Sequence, residues 1–199
     1  MTSDNHIAQV SVWAKQRVDE IEATLKAVEA RLGTLSAEAK TAAEQAMSEM
    51  RLQRDVFQKA IRDQQHEGEA AWAKGRAALE TNWAAFEATV QTYMKQARET
   101  AEQQQAMFKV RAEAQRKAWQ ASMDDFIRQA NSFAAAKKPD LDAAIARAKT
   151  EAEAAKSKLE ASAKAGGQSW DAMKAALEES RVAFEKAGKK ALEAFQQAS

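Results

Sequence analysis

The sequence predicts an all-α protein, an elongated antiparallel three-helix bundle or coiled coil, on the strength of three observations. Ala, Glu, Lys, Leu and Arg make up about half of the 199 residues, a composition typical of long helices. Apolar residues recur at helical spacing almost from end to end, without the sustained alternation of a strand. Breakers are rare, with six Gly and one Pro, so helices have few places to stop.

Alanine is the commonest residue, with 48 copies that supply about half of the apolar side chains. We therefore expect thin seams in which helix backbones approach closely. Basic and acidic residues number 30 and 29, and a net charge of +1 argues against disorder and against a nucleic-acid partner. The absence of cysteine excludes disulfides and thiolate metal sites.

The first predicted helix covers residues 5–66. Its apolar stripe starts at Ile7 and continues at helical spacing to Ile61. Gly33 interrupts the stripe, and Ser36 just beyond it is a candidate N-cap. The sequence therefore predicts a kink at Gly33.

The second predicted helix covers residues 69–135 and follows a turn at Gly68. Glycine closes a helix readily because it adopts the left-handed conformation without a steric penalty. The apolar stripe of this helix runs from Trp72 to Phe133 and is rich in aromatic residues.

The third predicted helix covers residues 140–198 and follows a turn at Pro139. Proline restricts the residue before it to extended conformations and suits the first turn of a helix. Asp140 then places a negative charge where the helix dipole favours it. A second kink is expected at Gly166-Gly167.

The three predicted helices are nearly equal in length, roughly 90–100 Å each at 1.5 Å per residue. Equal lengths are what an antiparallel bundle requires, and residues 1–199 then form a single helical domain. If Gly33 and Gly166-Gly167 are full turns as well, the chain instead forms five helices of unequal length. We favour the three-helix arrangement.

The most specific feature is an internal repeat. The segments that begin at Trp72 and at Trp170 both carry Trp, Leu and Phe at successive seven-residue intervals. The repeat indicates either a docking face used more than once or simple core packing, and core packing is the interpretation we favour. The candidate docking or core aromatics are Trp72, Trp83, Phe86, Trp119, Phe126, Phe133, Trp170 and Phe184.

Charged residues are expected on the solvent-facing surface. Six acids lie four residues before a base, the orientation that stabilises a helix by a few tenths of a kcal/mol. These pairs are Glu22–Lys26, Asp55–Lys59, Glu113–Lys117, Asp124–Arg128, Glu160–Lys164 and Glu185–Lys189.

Residues that could support catalysis are few. His6 and His66 are the only histidines, no Glu-x-x-His motif occurs, and no glycine-rich phosphate loop is present. We therefore expect no enzymatic activity, no cofactor and no metal. The polar N-terminus and the short apolar runs predict a cytoplasmic protein without a transmembrane segment.

Long alanine-rich amphipathic helices with periodic tryptophan and phenylalanine resemble three groups of proteins over most of the chain. These are the phasins, which coat bacterial polyester granules, the exchangeable apolipoproteins, and the BAR-type membrane-curving modules. The resemblance implies an amphipathic protein that binds lipid or polymer surfaces.

Two functions are consistent with these observations. The first is a non-enzymatic scaffold that forms a homo-oligomer or binds a protein partner through amphipathic helix faces. The alternative is a reversible coat on a lipid or polymer surface, in which the bundle opens and lays its apolar faces down.

Overall fold

The computed structural model describes residues 3–67, 69–131, 138–165 and 169–198, and the side chains of 13–63, 75–131, 138–165, 169–195 and 197. These residues form six α-helices and a 3-10 turn at Leu32–Thr34. The helices are α1 (Ser3–Glu29), α2 (Ala37–Glu67), α3 (Glu69–Gln96), α4 (Ala101–Ala130), α5 (Lys138–Lys164) and α6 (Trp170–Ala198). No strand occurs among the described residues, and the predicted all-α class is confirmed.

The predicted bundle of three long helices is not confirmed, because each predicted helix is divided into two that fold back on each other. The rings of Trp13 in α1 and Phe57 in α2 lie 5.8 Å apart. In one continuous helix these residues would be separated by about 66 Å. Helices of 27 to 31 residues, about 40–47 Å long, therefore replace the predicted long rods.

The other two predicted helices are divided in the same way. Arg111 of α4 donates to Glu87 of α3 at 3.1 Å, whereas a continuous helix would separate the two by about 36 Å. Lys190 of α6 forms a salt bridge with Glu151 of α5, which would otherwise lie about 58 Å away. Each pair of helices therefore forms an antiparallel hairpin.

The turn between α1 and α2 lies where a kink was predicted. Gly33 lies in the 3-10 turn, and Thr34 donates its backbone N–H to the carbonyl of Arg31 at 2.9 Å. Ser36 Oγ accepts the backbone N–H of Ala39 at 3.3 Å, so the predicted N-cap is confirmed. The chain reverses fully at this point.

The turn between α3 and α4 was not predicted, because it contains neither Gly nor Pro. Arg98, with φ 51°, donates to the carbonyl of Lys95, and Glu99 donates to the carbonyl of Met94. This is the Schellman pattern that ends a helix. Thr100 then caps α4 in a capping box with its third residue.

Glu99 also links the turn between α3 and α4 to Arg31, at the start of the turn between α1 and α2. Its buried carboxylate accepts the Tyr93 hydroxyl at 2.7 Å and forms a salt bridge with Arg31. Burial, together with this hydrogen bond to Glu99, raises the pKa of the Tyr93 hydroxyl.

The remaining predicted breaks fall partly outside the described residues. Gly68 and Gly166-Gly167 lie outside them, although α2 ends at Glu67 and α6 begins at Trp170. Pro139 lies in the first turn of α5, where its missing N–H removes no helical hydrogen bond.

Helix α1 is at the centre of the described helices. It packs against α2, α3, α4 and α6, whereas α5 packs against α4 and α6, and α2 packs against α1 and α3. One core cluster draws on α1, α2 and α3 and on the adjoining ends of the other helices. A second cluster fills the space between α4, α5 and α6.

We expect Arg98→Gly to raise the free energy of unfolding by about 0.5–1 kcal/mol, because glycine adopts this left-handed conformation without the strain that a Cβ brings. The Arg98 side chain is exposed, so its removal costs little. Denaturant unfolding followed by circular dichroism measures the change. Arg98→Ala is the control, and an equal gain in both variants would contradict the explanation by strain.

Candidate functional site

Helix α1 has two buried faces, and one of them is polar. The apolar face belongs to the first core cluster and consists of Ala14, Val18, Ile21, Leu25 and Val28. The polar face consists of Gln16, Arg17, Glu20 and Thr24, each less than a tenth exposed. Charged residues rarely become fully buried without partners, so the contacts of this face define the most unusual site of the molecule.

Glu20 is the centre of this polar face and is 1% exposed. Arg111 of α4 donates Nε to its carboxylate at 2.7 Å. Arg181 of α6 reaches both carboxylate oxygens at 3.3 Å, and Gln115 of α4 donates to one of them at 3.1 Å. A single carboxylate of α1 thus binds groups on two other helices.

Two further acids complete the cluster. Glu87 of α3 pairs with Arg111, and Glu185 of α6 accepts Arg17 Nη1 at 2.7 Å. We call the following six charged residues, together with Gln115, the buried ion cluster: Arg17, Glu20, Glu87, Arg111, Arg181 and Glu185. Their three guanidinium and three carboxylate charges balance, and Arg181 also forms a salt bridge with Glu178, which is largely exposed.

Aromatic rings form the apolar walls of the buried ion cluster. The Arg17 guanidinium carbon lies 3.8 Å from the centre of the Trp13 ring, and that of Arg181 lies 4.4 Å from the Trp83 ring. Arg111 lies 5.2 Å from the Phe86 ring. Cation–π contacts of this kind strengthen when the cation is shielded from water.

The pKa values of the cluster follow from burial and charge. Burial alone would raise the pKa of Glu20, but the guanidinium groups of Arg181 and Arg111 lower it by more, and it lies below its ordinary value. Burial by itself lowers the pKa of Arg111, and the carboxylates of Glu87 and Glu20 raise it above its ordinary value. Both shifts favour the charged forms of Glu20 and Arg111.

The buried ion cluster joins four helices in one register. Each carboxylate faces a guanidinium, so the arrangement holds helices together and leaves no acid or base unpaired for proton transfer. Three buried atoms of the cluster, Nε of Arg17, Nε of Arg181 and Oε1 of Gln115, have no hydrogen-bond partner. The ion pairs of the network are therefore strong, but some of its buried polar atoms lack a hydrogen-bond partner.

Helix α5 has a groove on each side. The groove between α4 and α5 has a volume of about 350 Å³, with Leu159 and Phe184 among its lining residues. The groove between α5 and α6 has a volume of about 170 Å³ and is lined mainly by small and charged side chains. The buried residues of α5 are three alanines and three larger aliphatic residues: Leu141, Ile145, Ala148, Ala152, Ala155 and Leu159.

The predicted aromatic residues that the structure describes are all buried in the core. Those in the first core cluster include Trp83 and Trp170, and Phe86 packs 4.8 Å from the Trp83 ring. Trp119 and Phe184 stack at 5.3 Å in the second cluster.

Of the last three predicted aromatics, only Phe126 has its side chain within the described residues. Phe126 packs 6.1 Å from Phe195 in the second cluster. The side chain of Trp72 and all of Phe133 lie outside the described residues. The repeat therefore does not form a single stripe, because its described members divide between two separate clusters.

The predicted surface ion pairs have different outcomes. Glu113 and Lys117 form the expected pair, with N and O atoms 3.6 Å apart. Glu185 instead turns inward to Arg17 and belongs to the buried ion cluster. The sequence did not predict this cluster, because a buried polar helix face and a solvent-facing one have the same spacing of polar residues. One sequence signal for burial was present, since Trp13, a large aromatic residue, lies on that polar face.

Two kinds of site are not found in the described part of the chain. None of the helices there is both long enough and apolar enough to cross a membrane. No group of three or more acidic or histidine side chains is arranged there to hold a metal ion. The side chains of His6 and His66 lie outside the described residues.

Comparison with known proteins assigns no family to the chain. No family model, no curated protein and no solved structure matches it significantly. The function is therefore proposed from the residues and their geometry.

We expect Glu20→Gln to lower the free energy of unfolding by about 3–5 kcal/mol at pH 7, because Arg111 and Arg181 keep their buried charge with one carboxylate fewer. The folded-state pKa of Glu20 is lowered, so its stabilisation is present above the unfolded pKa of about 4.3 and is lost as the pH falls through the folded pKa. Denaturant unfolding between pH 7 and pH 2 should show the two proteins converging in acid.

The control for this change is Glu29→Gln, which alters an exposed acid of the same helix. It should change the free energy of unfolding by less than about 0.5 kcal/mol. A difference between wild type and Glu20→Gln that does not vary with pH would contradict the charged state of Glu20.

Proposed function

We propose that the chain is a non-enzymatic helical interaction protein that self-associates, or scaffolds a protein partner, through outward helix faces. The observation that carries the proposal is an exposed apolar pair on α2. Leu52 is 66% exposed and Val56, one turn later, is 45% exposed. Exposure of such side chains to water is unfavourable, and the free energy falls when a second surface covers them.

The position of α2 supports this use. The helix packs against α1 and α3, so its opposite side is free of both neighbours. Its buried residues, which include Met50 and Phe57, lie on the side that faces the core. Leu52 and Val56 therefore add nothing to the core and are available for association.

We expect the purified chain to associate reversibly with increasing concentration, and Leu52→Glu with Val56→Glu to reduce this association about tenfold or more. Sedimentation velocity over a concentration series measures the change. Ile127→Glu with Val182→Glu is the control, because these side chains are 44% exposed on α4 and 52% exposed on α6 and the same two charges are added there. Sedimentation as a monomer at every concentration would contradict self-association.

A second candidate function is a coat on a lipid or polymer surface, and the seating of α5 favours it. Three of the six buried residues of this helix are alanines, and a groove lies on each side of it. Trp119, Phe126 and Phe184 lie in the same core cluster. Movement of α5 would present these rings, which are suited to the interface of a lipid layer.

For the coat function, we expect the wild-type chain to co-sediment with phosphatidylcholine vesicles and to lose this binding when α5 is tied to α6. Lys158 and Glu179 form an exposed salt bridge between the two helices. Lys158→Cys with Glu179→Cys can be joined by a short bis-maleimide, since the chain has no other cysteine.

The control for the tied chain is Glu153→Cys with Lys156→Cys, an exposed pair within α5 that leaves the helix free to move. Equal vesicle binding by both cross-linked proteins would show that α5 does not need to open. No binding by the wild-type chain would remove the coat function.

A further inference from the structure

The outward side of α2 carries a regular pattern of charged and apolar residues. Six residues at intervals of three or four lie on one face of this helix: Gln45, Glu49, Leu52, Val56, Lys59 and Asp63. We call this set the α2 outer face. All six are exposed except Asp63, which is half-buried.

The α2 outer face is complementary to itself in one orientation. Its members are arranged symmetrically about residue 54, with Leu52 and Val56 nearest and Glu49 and Lys59 next. When two such faces pack antiparallel, Leu52 of one copy lies opposite Val56 of the other. Glu49 of one copy then lies opposite Lys59 of the other, and this pairing occurs twice because a two-fold contact repeats every interaction.

The parallel orientation is disfavoured by the same residues. Two parallel copies in register place Glu49 against Glu49 and Lys59 against Lys59, which are like-charge contacts. Self-complementary charge therefore selects the antiparallel arrangement, in which opposite charges flank an apolar centre.

The contacts of these side chains within one copy leave them available for pairing. Lys59 forms a salt bridge with Asp63 one turn later, and both ends of that bridge are largely exposed. Glu49 accepts the Thr89 hydroxyl at 3.1 Å through one oxygen, and its other oxygen accepts the side-chain amide of Gln45 at 3.4 Å. The Lys59–Asp63 and Gln45–Glu49 contacts are exposed and contribute little within one molecule, so their exchange for partners in another copy costs little.

We propose that two copies of this chain associate antiparallel through the α2 outer face, with Leu52 and Val56 at the centre and two Glu49–Lys59 ion pairs at the sides. This inference rests on the proposed function and names the partner and the register. The face is about 27 Å long and one helix wide, which makes a small interface, so we expect the dimer to be reversible and to depend on concentration and salt.

The experiment is a charge-reversal cycle followed by sedimentation velocity at low salt. We expect Glu49→Lys alone and Lys59→Glu alone each to weaken dimerisation about tenfold, because each reversal creates two like-charge contacts. The double variant Glu49→Lys, Lys59→Glu should recover dimerisation to within about threefold of wild type.

Matched controls separate a general charge effect from the proposed register. Glu153→Lys and Lys156→Glu make the same charge changes at an exposed pair on α5 and should leave dimerisation unchanged. Thermal unfolding of each variant at low concentration checks that the monomer remains folded. Loss of dimerisation in the double variant, with its monomer folded, would overturn the inference.

The outcomes distinguish this inference from the proposed function. If the wild-type chain associates and the charge reversals have no effect, the register is overturned while self-association survives. If the wild-type chain does not associate at any concentration, both the inference and the self-associating function fail.

Discussion

A single buried carboxylate determines how the helices of this protein fit together. Glu20 lies inside the bundle and is compensated by Arg111 and Arg181, which belong to two other helices. Removing three such charges from water is costly, and only good pairing offsets that cost. Shifting α4 or α6 by one turn against α1 would separate a buried charge from its partner. The buried ion cluster therefore specifies register more than it adds net stability, a view supported by its incompletely satisfied guanidinium groups.

The same cluster explains why α1 is at the centre. A helix with one apolar stripe can pack on one side only, but α1 buries an apolar face and a compensated polar face. It can therefore contact helices on both sides. A bundle of three long helices would not need a second buried face on this helix. The full turns at 30–36 and 97–100 follow from this arrangement, because they return α2 to α1 and bring Arg111 beside Glu87.

The outer helices have the features that suit association. Leu52 and Val56 of α2 are exposed, and α5 lies between two grooves with alanine at three of its six buried positions. The buried ion cluster draws on α1, α3, α4 and α6, whereas α2 and α5 contribute no residue to it. In the function proposed above, the ion pairs keep the helix order fixed while α2 or α5 meets a second surface.

The sequence by itself determined the all-α class, much of the core and the N-cap of α2. Helical spacing identified the apolar residues that pack in the core, and Ser36 was correctly assigned as an N-cap. The turn after Arg98 was missed because no glycine marks it, although Thr100 and Gln103 have the spacing of a capping box. Only the tertiary structure decided that the polar face of α1 is buried. Its partners lie 91 and 161 residues away from Glu20, and no local pattern distinguishes a charge facing water from one facing a distant arginine.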